Sequence, residues 1–286
     1  MQEVCKFEAV EISHDDKASV SFLYKTIPGR ILLKLLIRPF ISKLAGSFLR
    51  SPASRFLIDK FIKKNNINMD EYRSVKYKSF DEFFIREIKY GERPVSEDDS
   101  VVIAPCDGKL TVYPITMENL FYIKRAMYTI TDLLQDAKLA EEFSDGVCLV
   151  FRLSPDDYHR YIYVDDGEIL DQKRIKGVLH TVQPIAYQRF NVFCRNTREY
   201  TVIQTKNFGK IIQMEVGALF VGRISNHGKN HTVKRGEEKG MFQFGGSTVI
   251  LLFQRDVVDI DREIYENTAI NRETIVRMGN IVGVKV

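Results

Sequence analysis

Met241-Phe-Gln-Phe-Gly-Gly-Ser-Thr-Val-Ile-Leu-Leu-Phe253 joins a small glycine-bearing polar step to a strongly β-forming apolar run. The run Val249 to Phe253 predicts a buried strand. Gly245 and Gly246 permit positive φ and close approach by other atoms. Taken alone, Gly245-Gly246-Ser247-Thr248 is a hairpin turn ahead of that strand. It also has a chemical reading. A serine hydroxyl held beside the preceding peptide bond can attack the Gly246 carbonyl and cut the chain at Gly246–Ser247.

Outward from this stretch the chain is strand-rich. Short β-type runs punctuated by Gly, Pro and Asp occupy 101–105, 109–115, 147–153, 159–164, 200–205, 210–216 and 218–224. After Phe253 the pattern predicts two or three more strands, with a turn at Gly279-Asn280 between the last two. One helix is expected from about Thr131 to Phe143, capped by Thr131 or Asp132.

The first hundred residues differ. Residues 1–24 read as irregular or strand-containing, and 29–66 as helix broken near Pro39 and at Ser51-Pro52. Ser79-Phe-Asp-Glu82 is a capping box, opening a helix expected to stop near Gly91. Helices first and many short strands after predict an α+β fold. The expected division is a mainly helical region, 1–95, and a β-rich catalytic domain, 96–286.

Composition excludes several classes. The chain has 286 residues, 44% hydrophobic and 28% charged, which suits a globular protein of one or two domains. Four dispersed cysteines, Cys5, Cys106, Cys148 and Cys194, form no CxxC pair, so neither a zinc site nor a disulfide framework is expected. A reducing compartment is the simplest setting. The start lacks a signal-peptide pattern, and no apolar stretch approaches the roughly 20 residues of a spanning helix.

Charge is uneven. Lys25 to Lys64 holds ten Lys/Arg and one acid, Asp59, whereas the whole chain is only +4. These bases alternate with Ile31, Leu32, Leu35, Phe40, Leu44 and Phe48. Basic and large apolar side chains interleaved on helices suit a membrane interface, where Lys and Arg stems snorkel toward anionic headgroups. The competing readings are a core-facing helix with a solvated basic side and a nucleic-acid patch. The apolar side is too wide for the nucleic-acid version.

Among the histidines, His159 sits in Ser154-Pro-Asp-Asp-Tyr-His-Arg160, beside groups able to fix its tautomer. Asp107, in Ala104-Pro-Cys-Asp-Gly108, occupies a tight turn where one carboxylate is ordinarily an Asx-turn residue. Serine, histidine and aspartate together can form nucleophile, base and orienting group, although sequence separation says nothing about contact. His227 and His231 lack a nearby acidic third ligand and read as a polar loop; no metal is expected.

From Ser79 to Phe253 the chain resembles the phosphatidylserine decarboxylases. Phe83-Phe-Ile-Arg-Glu-Ile-Lys-Tyr-Gly-Glu-Arg-Pro94 is similar to FFxRxLKxGxRP, and Ala104–Gly108 to a P-x-D-G turn. Phe121–Tyr128 with Leu133-Leu134, Asp157-Tyr-His-Arg160, Val216–Gly222 and Lys234–Phe242 follow in the family's order. The resemblance implies a self-processing carboxy-lyase of phospholipid biosynthesis. Ser247 would attack Gly246 to give an ester. Elimination and hydrolysis would then leave a β chain, 1–246, and an α chain, 247–286, blocked by a pyruvoyl group made from Ser247.

That pyruvoyl group would form a Schiff base with phosphatidylserine and release CO2, giving phosphatidylethanolamine without a metal or diffusible cofactor. Asp107, His159 and Ser247 are the catalytic residues implied, with Asp107 orienting the histidine and His159 supplying the proton. Many members carry a second histidine, as HRxH, where this chain has Ile162; His180 is the candidate to share the work. The partners implied are phosphatidylserine in an anionic membrane and the two cleaved chains as a heterodimer, a higher oligomer being compatible. Peripheral attachment to the cytoplasmic side of the cell membrane follows. Two alternatives keep the scaffold: a pyruvoyl decarboxylase for a related serine lipid or small amino acid, and a membrane-binding protein that does not cleave itself. A basic nucleic-acid-binding module ranks last, because the aromatics sit mostly in apolar runs.

Overall fold

The computed structural model describes residues 7–12, 18–123, 126–187, 191–219, 223–228, 231–244 and 247–286. Its fold is α+β, and strands dominate after residue 100. In chain order the strands are β1 (Ala9–Glu11), β2 (Val101–Ile103), β3 (Gly108–Pro114), β4 (Leu120–Ile123), β5 (Ala126–Thr129) and β6 (Val147–Leu153). There follow β7 (Arg160–Ile162), β8 (Gly167–Ile175), β9 (Arg198–Thr205), β10 (Lys210–Val216), β11 (Ile224–Asn226) and β12 (Thr232–Val233). The last are β13 (Glu238–Phe242), β14 (Ser247–Phe253), β15 (Val258–Ile260), β16 (Arg272–Val276) and β17 (Ile281–Lys285).

Nine strands form one sheet in the order β1-β16-β3-β6-β14-β10-β9-β8-β12. Its central strand β14 is buried at every position. One face bears Val249, Leu251 and Phe253 and packs with β2, β7 and β17 of two smaller sheets. The opposite face bears Ile250 and Leu252 and is covered by helical segments. Being dry on both sides explains why β14 reads as an unbroken apolar run rather than an alternation.

Ten helices precede or interrupt these strands among the described residues. They are α1 (Ala18–Lys25), α2 (Ile27–Leu36), α3 (Pro39–Arg50), α4 (Leu57–Asn65) and α5 (Phe80–Phe84), then α6 (Ile130–Leu134), α7 (Ala137–Glu141), α8 (Pro184–Tyr187), α9 (Val192–Arg195) and α10 (Arg262–Ala269). The expected breaks at Pro39 and Ser51-Pro52 are present. At the second, buried Ser54 donates to Leu49 O and accepts from Phe80 N–H, tying the bend to α5. Leu49, Ile58, Phe80, Phe83 and Phe84 form a small separate core there.

Four expectations need correction. The end of 1–24 is helical, as α1, while β1 joins the main sheet by pairing with β16. The helix opened by Ser79 stops at Phe84 rather than near Gly91. Buried Arg86 donates to Tyr72 OH, and Arg73 N–H and Lys89 N–H bond Glu87 O and Glu71 O, drawing this segment alongside 71–73. The single helix over 131–143 is two short ones, α6 and α7. Gln135 turns left-handed between them, and Thr129 and Asp136 supply separate caps. In the run at 218–224, residues 218, 219 and 223 lie outside strands and Ile224 begins β11, while residues 220–222 lie outside the described residues.

Candidate active site

Ser247 is the first residue of β14. It stands opposite Leu153 of β6, and its neighbour Thr248 stands opposite Val216 of β10. The side chain is fully buried, and Oγ makes no hydrogen bond among the described residues. A buried hydroxyl without a partner is costly and calls for a functional explanation. Gly246, with Gly245, lies outside the described residues.

His159 reaches the same end of the sheet by two routes. The loop after Leu153 leads to it, and its carbonyl accepts from Phe242 N–H at 2.9 Å. Its ring is buried against Phe84, with 4.3 Å between centroids, and Phe244 packs on that phenyl. Nδ1 lies 2.8 Å from Asp157 O. A carbonyl only accepts, so Nδ1 carries the proton and Nε2 is the basic nitrogen of the neutral ring. No hydrogen bond joins His159 to Ser247.

Asp107 is held elsewhere. Arg93 grips its carboxylate as a fork, Nε to Oδ1 at 2.9 Å and Nη2 to Oδ2 at 2.7 Å. Met278 N–H adds a third bond to Oδ1 at 2.8 Å. The family resemblance implied that Asp107 orients the histidine; its hydrogen bonds go to Arg93 and Met278, and none among the described residues joins it to His159. Arg93 also pairs with Glu71 at 3.0 Å and is itself almost wholly buried. Gly279, at φ +87°, makes the bend beside this cluster, where a Cβ would stand 2.3 Å from Pro94 O. Arg93 stands inside the Phe83–Pro94 motif, but a lone arginine before a proline carries no signal of its partner.

Neighbouring groups are equally committed. Asp157 accepts from Ser154 N–H at 2.6 Å and pairs with Lys109 at 3.1 Å; burial pushes its carboxyl up. Arg86 stacks on Tyr72 and donates to Asp156 O, fixing the loop that carries His159. Ile162 packs in the main core, so the position of a second histidine is apolar here.

His180 lies near the end of β10. Its backbone is bound on both sides by Asn196, whose amide also donates to Gly217 O. The ring Nδ1 meets Tyr24 OH of α1 at 3.2 Å. Burial lowers its pKa to about 4, so the ring is neutral at ordinary pH. His227 pairs with Glu238 on the surface, 2.6 Å apart. Among the described residues no group of three His, Cys, Asp or Glu could hold a metal ion.

The family model described as Phosphatidylserine decarboxylase matches residues 80–284. The chain belongs to the phosphatidylserine decarboxylase family. A relative named phosphatidylserine decarboxylase proenzyme 2, from Clostridium acetobutylicum, is 47% identical over 92% of this chain and 91% of its own length. The phosphatidylserine decarboxylase proenzymes of Clostridium novyi and Fusobacterium nucleatum are 39% and 38% identical, each over 93% of this chain and over 92% and 91% of their own lengths. The phosphatidylserine decarboxylase model spans α5 to β17, and so includes Arg93, Asp107, His159 and Ser247.

Proposed function

We propose that this chain is a phosphatidylserine decarboxylase proenzyme, cut by Ser247 at Gly246–Ser247 into chains 1–246 and 247–286. The observation that carries the cut position is the fully buried Ser247 Oγ, unbonded among the described residues as Thr248 Oγ1 also is, but at the head of the central strand and directly after the Gly245-Gly246 step. A hydroxyl in this state is dry and uncommitted, as a nucleophile toward the preceding carbonyl needs to be.

In this reading His159 Nε2 takes the Ser247 proton, while the Asp157 carbonyl holds the ring in the required tautomer. The same histidine returns the proton to the amide nitrogen as it leaves. Asp107 acts as a fixed anion behind the loop, neutralised by Arg93, and does not orient the ring directly. The pyruvoyl group that replaces Ser247 supplies the electron sink for loss of CO2 from an amino-acid headgroup. Val249 of β14 and Phe151 and Leu153 of β6 wall it on the same face and are apolar and buried, which keeps water from the reacting carbon.

The N-terminal helices form the membrane-facing part of the proposal, within a mainly helical region 1–95 beside a catalytic region 96–286. Ile27, Ile31, Leu35, Phe40, Leu44 and Phe56 are each more than half exposed. Arg30, Lys34, Arg38, Arg55 and Lys60 are exposed among them. No helix among the described residues is long and apolar enough to cross a membrane. This combination suits a peripheral attachment to anionic lipid, the surface in which phosphatidylserine is presented.

The reading is tested by incubating the protein with phosphatidylserine liposomes at physiological salt. Phosphatidylethanolamine should form, and the protein should sediment with the vesicles. Activity on detergent-dispersed lipid without liposome binding would remove the membrane part. Decarboxylation of free serine in preference to the lipid would replace the substrate.

A further inference from the structure

A second set of polar groups lies on Ser247's own face of the sheet. Successive side chains alternate faces, so Ser247 shares its face with Val249, and β10 places Glu215 opposite Val249. Glu215 is therefore the diagonal cross-strand neighbour of Ser247, a separation that long side chains bridge. Glu215 and Lys239 are both wholly buried, with Nζ 2.6 Å from Oε2. Asn226 donates to the same oxygen at 3.1 Å and to Glu199 at 2.9 Å. Oε1 makes no hydrogen bond among the described residues.

An apolar pair of similar volume would serve stability as well as this one, and the unbonded oxygen makes the arrangement worse. Two other acids near the site have no oxygen to offer on the same terms. Asp107 is occupied by Arg93 and Met278, and Asp157 by Lys109 and Ser154. Ile162 removes a second histidine from the motif, and His180, the other candidate, turns its Nδ1 to Tyr24 in the core of the opposite face, so His159 would have to serve both halves of maturation.

We propose that Glu215, kept ionised by Lys239, is the base for the second half of maturation, removing the Cα proton of residue 247 from the ester. This rests on the self-cleavage reading above. The Cα–H electron pair becomes the Cα=Cβ bond of dehydroalanine. The Cβ–O bond breaks, Gly246 departs as a carboxylate, and the proton stays on Glu215 Oε1. Charge balances, because the Glu215–Lys239 pair becomes +1 as the new carboxylate becomes −1. Burial pushes the Glu215 carboxyl up while Lys239 and Asn226 draw it back, which suits a group that must hold a proton and release it.

The test uses full-length Glu215→Gln and the double variant Glu215→Gln/Lys239→Met, which leaves no lone buried cation. Glu215→Asp, with the charge kept and the reach shortened, is the third. Thermal melts establish which are folded. Pyruvoyl formation, followed by intact mass, should slow at least tenfold in all three. The native variants should accumulate the ester, so neutral hydroxylamine should split them into a hydroxamate-ended 1–246 and a serine-started 247–286. Ser247→Ala should resist hydroxylamine. Folded variants that mature at the wild-type rate, or stay uncut and resist hydroxylamine, would overturn the role of Glu215. Wild-type protein lacking a pyruvoyl-blocked 247–286 would instead overturn the self-cleavage reading.

Discussion

Single residues carry the chemistry, and each makes a distinct prediction. Ser247→Ala should remain one uncut chain with no decarboxylase activity, since no other hydroxyl replaces Oγ at that peptide; a cleaved variant would move the scission elsewhere. Arg93→Gln strips Asp107 of its fork and leaves a nearly buried carboxylate without its cation, a change that costs about 3–5 kcal/mol. Its melting temperature should fall and maturation should slow with it; an unchanged melt would mean that the pair holds nothing. His180 gives a pH signature. Its folded pKa is depressed, to about 4 from 6.5. Between these values the unfolded chain binds the extra proton, so stability present above pH 6.5 is lost as pH falls toward 4. The loss should reach about 3 kcal/mol at most, and His180→Gln should remove that part of the slope in denaturant melts. Serine, histidine and aspartate were legible in the sequence as candidates. Their relationships were not, because the partners of Asp107 come from residues 93 and 278 and the partner of Glu215 from residue 239.

Elements show where local signals suffice. The breaks at Pro39 and Pro52 and the cap at Ser79 follow from local chemistry, and β14 follows from composition alone. The nine-residue strand β8 was missed, because Gly167-Glu-Ile-Leu-Asp-Gln-Lys-Arg-Ile175 is largely exposed and polar and is held by its pairing with β9. Helix α10 was missed as well, though Asp261 caps it, because its eight residues are mostly polar and bury only Ile264 and Asn267, too short an apolar stripe to show a helical period. Helix α5 ends early because tertiary bonds to 71–73 outweigh its local pattern. The amphipathic helices α2 and α3 bear the membrane prediction. Leu35→Glu and Leu44→Glu fall on exposed positions and should leave the melt nearly unchanged while weakening sedimentation with anionic liposomes at least tenfold. Unchanged sedimentation would assign those faces to another partner.

At the scale of the molecule, the proposed cut falls just before the central strand of the largest sheet. After cleavage β14 would remain paired with β6 along its whole length and with β10 from Thr248 onward, so the two chains should stay together without a covalent link. The α+β class, the helices-first order and the family were all readable from one sequence, because they rest on composition, order and motif spacing. The nine-strand order was not readable, since it joins strands far apart in the chain such as β1 with β16 and β3 with β6. Self-cleavage is the claim on which the rest of the account depends. Its most direct test is the intact mass of the purified wild-type protein under denaturing conditions. The account predicts two species, one ending at Gly246 and one spanning 247–286 with a pyruvoyl group in place of the amino-terminal serine. A single full-length mass that persists after incubation with phosphatidylserine liposomes would contradict it.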